Sequence, residues 1–238
     1  MARTPPPMMS SRKDFIAVSA ALAALAPLFE SPHAASAAPT GATMPPLQFD
    51  LSSFERTLGT PATHRHLFAS KLVEHGDVFD AVGNTMSAYQ TIGTPLATIF
   101  PVAVLYHVAI ALAFNDAIWN EIFIPSATRL PAWIRASLPS VLQPGSGNPA
   151  LHAAAGARPD DLTSIDALLA QTRLQLYVCN NALYGFSMNL AGLIDESPGT
   201  TYSRLTQGLV PRAAVVPAGV WAVHAVQERG FTLLQTSL

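Results

Sequence analysis

Apolar residues recur along this chain in two rhythms. Over 76–89, Val78, Phe79, Val82, Met86 and Tyr89 follow one another at spacings of three and four, which predicts a helix with one buried face. Gly93 and Pro95 end it. Phe100 to His107 is instead a continuous apolar run, the pattern of a strand buried on both faces in a parallel sheet. Ala109, Ile110, Leu112, Ala113, Ala117 and Ile118 then return to helical spacing, so this strand passes directly into a helix. The alternation repeats downstream. A helix is expected over 160–173, with Ile165, Leu168 and Leu169 on one face, and a strand over Leu174–Cys179. A helical stretch, the Ser197-Pro198-Gly199 turn and a short helix around Tyr202–Gln207 follow. The last units are a strand at 213–217, a helix from Gly219 to Arg229 closed by Gly230, and a strand at 231–235. Near the start, His66 to Leu72 reads as a short edge strand. Strands alternating with helices imply right-handed crossovers and a mostly parallel sheet covered on both faces, an α/β three-layer sandwich.

Two stretches break the alternation. Residues 38–63 are rich in Pro, Thr, Ser and Gly without a period, and read as a flexible arm. Residues 125–159 carry six prolines and three glycines, a long insertion with one short helix expected near Trp133. Loops of this length serve as lids or oligomer contacts. Residues 1–37 have the pattern of a cleaved export signal: Arg3, Arg12 and Lys13, an Ala-rich apolar run from Ile16 to Phe29, then Ala35-Ser36-Ala37. Ser11-Arg12-Lys13-Asp14-Phe15-Ile16 is similar to the twin-arginine motif, with Lys13 in place of the second arginine. The apolar run contains Pro27 and is shorter than the roughly 20 residues of a span. A periplasmic or otherwise exported protein without a stable membrane span is therefore expected. Beyond the signal, ten basic and thirteen acidic residues leave a net charge of about −3, which argues against nucleic acid as a partner. Only 12% of residues are charged and half are hydrophobic, which favours a homo-oligomer.

The chain has one cysteine, Cys179, at the end of the Leu174–Cys179 strand. A lone thiol makes neither an internal disulfide nor a Cys-rich metal site. In open parallel sheets, ligands bind beyond the carboxyl ends of the strands. Three such ends are His107, Cys179 and Pro217-Ala218-Gly219. If their strands are neighbours, Cys179 serves as nucleophile at a helix N-terminus, which stabilises anions, and His107 serves as its base or partner. Asn180 and Asn181 then cap the helix or bind an anionic sulfur species, Gly219 permits close approach, and Asn115 is a second-tier ligand. Against this stands a buried Cys179 that only fills space, and a structural His107. His64 and His66 face one side of a strand but lack an obvious third ligand, so no metal site is assigned. No dinucleotide, Walker, serine-hydrolase or zinc-protease motif occurs, and no cofactor is expected.

Val215-Val216-Pro217-Ala218-Gly219-Val220-Trp221, with Gln227-Glu228-Arg229-Gly230-Phe231-Thr232, resembles the C-terminal segment of DsrE/DsrF-like proteins. Tyr177-Val178-Cys179-Asn180-Asn181-Ala182-Leu183 resembles their cysteine-bearing strand end. Val102 to His107 with Leu112 to Trp119 resembles the strand and helix before it. The resemblance spans about residues 64–238 and implies a flavodoxin-like three-layer fold, oligomers, and a persulfide relay on the cysteine with a sulfur donor or acceptor protein. Three readings result: an exported protein that binds or transfers sulfane sulfur through Cys179; a non-catalytic binding or assembly module on the same fold; and a metal or small-molecule sensor using His107, His64 and His66.

Overall fold

The computed structural model describes residues 44–73, 76–139, 143–154, 156–158 and 161–236, all within the unit Gly41–Leu238. The proposed signal and its cleavage site lie outside the described residues. Five strands form one sheet: β1 (His64–Ser70), β2 (Ile99–Leu105), β3 (Gln175–Cys179), β4 (Ala213–Val216) and β5 (Thr232–Gln235). Their order is β4-β3-β2-β1-β5, and every pairing is parallel. The first four strands step across the sheet in one direction, so right-handed connections place their helices on one face. These are α2 (Asp77–Thr91), α3 (Ala132–Arg135), α4 (Ile165–Gln171), α5 (Asn180–Ala191) and α6 (Pro198–Gln207). The chain then returns from β4 to β5 through α7 (Gly219–Gln227), which packs on the other face. The result is the α/β three-layer sandwich of the flavodoxin-like kind.

Side-chain alternation along β2 explains the two cores. Ile99, Ala103 and Leu105 join Phe79, Val82, Met86 and Leu183 on one face. Phe100, Val102 and Val104 join Ala222 and Val226 on the other. All seven β2 residues are buried, as an apolar run covered on both sides requires. Beyond β2 the chain first winds as a 3₁₀ segment, His107–Ala113, and only then as helical turns from Asp116 to Ser126. No helix among the described residues is long and apolar enough to cross a membrane.

Two expectations are corrected. β1 is not an edge strand: β5 pairs along its outer side, Leu67 opposite Leu233 and Phe68 opposite Leu234. The stretch expected to be a loose arm contains a helix, α1 (Leu51–Leu58). Asp50 caps it by accepting from the Ser53 backbone at 3.0 Å, and Phe54 and Leu58, four residues apart, are buried. Phe54 stacks near Tyr177 and Trp221, at centroid distances of 4.9 and 5.2 Å. Composition alone concealed a capped, amphipathic two-turn helix.

The 125–159 insertion is tied to the domain. Leu130, Ile134, Leu138, Ala150 and Leu151 are buried in the larger core. Buried Asn148 donates from its amide to the Leu112 and Phe114 carbonyls at 2.9 and 2.6 Å. His152 sits between two carboxylates, Asp116 and Asp166, 2.7 Å from each. A neutral imidazole has one N–H, so satisfying both acceptors takes the protonated ring. The hydrogen bond to Asp116, opposed by partial burial and aided by Asp166, raises the His152 pKa above its ordinary 6.5. A raised folded-state pKa stabilises the folded loop below 6.5, and that contribution is lost as pH rises through the raised value. The amides of 147–152 should therefore be more protected from hydrogen exchange at about pH 5.5 than at about pH 8.5, after correction for intrinsic rates. His152→Asn should remove the difference. Equal protection at both pH values would contradict the assignment.

Candidate functional site

β3 hands its chain to one face of the sheet through α5, and its neighbour β4 hands its chain to the other through α7. Adjacent strands whose connections diverge open a crevice between their carboxyl ends. A cavity of about 380 Å³ lies there. It is lined by Tyr106 and His107 just beyond the end of β2, from β3 and α5 by Cys179, Asn181, Ala182 and Gly185, and at the start of α7 by Ala218, Gly219 and Val220. Trp133 of α3 completes the wall.

Cys179 occupies the N-cap position of α5, with extended backbone (φ −67°, ψ 117°) and no side-chain capping bond. Its thiol is free, and the residue keeps only 7% of its surface exposed. Ala218 occupies the same position on α7, again without a side-chain cap. Two helix N-termini therefore meet the cavity with first-turn N–H groups that no capping side chain satisfies. Such groups, with the helix dipole behind them, stabilise negative charge on sulfur or oxygen.

His107 begins the chain's exit from β2 at φ +52°, a left-handed conformation that disfavours a branched or bulky side chain. The conformation is fixed on both sides. Tyr106 donates its N–H to the Ser70 carbonyl at 3.1 Å, and Ala109 donates to the Lys71 carbonyl at 3.3 Å. The imidazole lies at the exposed rim, with its centroid 5.4 Å from that of Trp133. Backbone strain held in place beside a cavity is a feature of functional sites.

Gly219 is required by close approach. A Cβ placed on it would stand 3.3 Å from the Cys179 Cβ and 3.0 Å from the Tyr106 Cγ, and closer still to the Tyr106 Cβ. Its φ does not demand glycine; its neighbours do.

The expected site is thus brought together in part. His107, Cys179, Asn181 and Gly219 share one cavity. Asn180 does not join it. Its side chain is 4% exposed and turns toward α6, where its Oδ1 accepts from the Tyr202 hydroxyl at 2.7 Å. Asn115 is also outside: its Oδ1 caps the following turn by accepting from the Ile118 N–H at 3.1 Å, and its N–H donates to Gly208. Both asparagines are structural, as short amide side chains beside helix starts tend to be. The Asn180 bond should matter for stability. Tyr202→Phe leaves a buried acceptor unpaired, so unfolding free energy should fall by about 1–3 kcal/mol in denaturant titration, with the site's chemistry retained. An unchanged midpoint would contradict it.

The three histidines of the sensor reading do not converge. His64 opposes Ile99 at the amino end of β1 and β2, whereas His107 follows their carboxyl end. His66 is occupied with the Tyr89 hydroxyl at 3.0 Å, and burial followed by the nearby His64 lowers its pKa below the ordinary value. No group of three His, Cys, Asp or Glu side chains among the described residues is placed to hold a metal ion. Sequence reasoning missed Trp133, Tyr106, Ala182, Gly185 and Val220 as lining residues. Tyr106 and Val220 adjoin the expected positions His107 and Gly219, while Trp133 arrives from the insertion with no local signal.

No family model and no curated protein matches the chain. Among solved structures, a protein of unknown function from Methanobacterium thermoautotrophicum is similar at 12% identity and a TM-score of 0.38, covering 72% of this chain and 98% of that one.

Proposed function

We propose that this chain is an exported carrier of sulfane sulfur, with Cys179 as the sulfur-accepting thiol. The observation that carries the reading is the placement of the chain's single thiol, free and at a helix N-cap, in the wall of the crevice where α5 and α7 diverge. The resemblance of 177–183 and 215–232 to DsrE-like segments supports it, and the pattern of residues 1–37 supports export.

In the proposed step, the Cys179 thiolate attacks the outer sulfur of a persulfide, R–S–S–H. A bond forms between Sγ and that sulfur, the bond to the inner sulfur breaks, and R–S⁻ departs. The proton stays on the transferred sulfur, and no net oxidation occurs. His107, in the same cavity, takes the proton of the resting thiol. The N-termini of α5 and α7 stabilise the thiolate before attack and the departing R–S⁻ after it. An acceptor thiolate then attacks the carried sulfur and regenerates Cys179.

A second reading has its own observation: Cys179 is 93% covered and packs with the larger core, as a space-filling cysteine does, since its exposure is 7%. Val220 in the cavity wall and its neighbour Trp221 are exposed at 61% and 36%, which suits an assembly surface. Incubation with a persulfide donor, removal of the donor, and addition of a thiol acceptor separates the two. A carrier gains one sulfur atom and passes it on; an assembly module gains none.

A further inference from the structure

The cavity also states what kind of donor it accepts. Its walls are Trp133, Tyr106, Ala182, Gly185, Ala218 and Val220, and no acidic or basic side chain except His107 lines it among the described residues. Trp133, 39% exposed, is held in the wall by two ring contacts. Its ring meets Phe186 edge-on at a centroid distance of 5.6 Å, and the His107 ring lies 5.4 Å from it on another side. Phe186 itself is fully buried and continues into Phe123. An apolar group entering the cavity loses contact with water against these surfaces and gains affinity. A charged organic body lying against Trp133 and Val220 displaces water from their apolar surfaces less well and finds no charged side chain other than His107 among the described lining residues.

Resting on the sulfur-carrier reading above, we infer that the donor is a small persulfide whose organic body is apolar and uncharged, and that Trp133 determines this selectivity. The sulfur head lies between the two uncapped helix N-termini, beside Cys179, and the organic body lies against Trp133 and Val220. Glutathione persulfide is disfavoured because its charged organic body gains little from the apolar surfaces of Trp133 and Val220. The insertion that carries Trp133 thereby acts on substrate choice, at a position no other described segment occupies.

The test compares rates of sulfur loading on Cys179 of the full chain from benzyl persulfide and from glutathione persulfide. Each is divided by the same donor's rate with a free low-molecular-weight thiol, to remove intrinsic reactivity. The benzyl donor should load at least about tenfold faster on this scale, the order of discrimination one apolar contact provides. Trp133→Ala should collapse the ratio toward one. Val220→Arg, which adds a cation at an exposed position, should raise loading from glutathione persulfide. A ratio of one or below for the wild-type chain, with loading intact, overturns the apolar-donor inference and leaves the carrier reading standing. A ratio that Trp133→Ala leaves unchanged overturns the role of Trp133. Absence of loading from both donors overturns inference and carrier reading together.

Discussion

Cys179→Ser protein will take up no sulfur from a persulfide donor, while the wild-type chain takes up one atom and, in its folded state, is alkylated by iodoacetamide at neutral pH. The effect is complete because the chain has no second thiol to substitute. Two physical terms compete at this position. Cover by the core, which leaves the residue 7% exposed, slows any reagent, while the open cavity gives one a path to the thiol. The carrier reading expects reaction, since a reagent of iodoacetamide's size fits in about 380 Å³ without displacing an element of the fold. His107→Gly should slow loading by about tenfold or more, through loss of the base. Glycine is chosen because it accepts the φ of +52° without strain, so the loss reports on the imidazole and not on the backbone. Alkylation that occurs only after denaturation would show that packing wins.

Gly219→Val should have the largest effect on the fold. The added Cβ would press on Tyr106 and Cys179, both anchored at strand ends, so α7 must move outward. Overpacking of this kind costs about 1–3 kcal/mol, read as a lower denaturant midpoint. The valine methyls would also enter the cavity beside the thiol, and loading of Cys179 should fall with stability. Gly185→Ala is the matched control. A Cβ there meets nothing within 4 Å, and the position lies inside α5. Alanine should therefore raise stability by up to about 1 kcal/mol, its advantage over glycine in a helix. Wild-type stability and loading in Gly219→Val would contradict the packing around the crevice.

The strands were legible because β2 and β3 are apolar on both faces, the pattern expected of strands in a doubly covered sheet. Once strands were placed, the convergence of His107, Cys179 and Gly219 followed from their shared position at carboxyl ends. What was not legible depended on partners distant in sequence. β1 read as an edge because its outer partner, β5, lies more than 160 residues downstream, Leu67 pairing with Leu233. Asn180 read as a ligand because its partner, Tyr202, is 22 residues away. The Asp116–His152–Asp166 cluster draws on residues 36 and 14 positions from its histidine. Trp133 lacked any local cue, since an aromatic in a Pro-rich insertion gives no sign of the wall it will complete.

The central claim is that Cys179 carries sulfane sulfur in the native protein. Intact-protein mass spectrometry of the chain isolated without reductant tests it most directly. The account expects a species heavier by one sulfur atom, localised to the Cys179 peptide, removed by reductant and absent from Cys179→Ser. A single unmodified mass, unchanged after exposure of the folded protein to a persulfide donor, would contradict it.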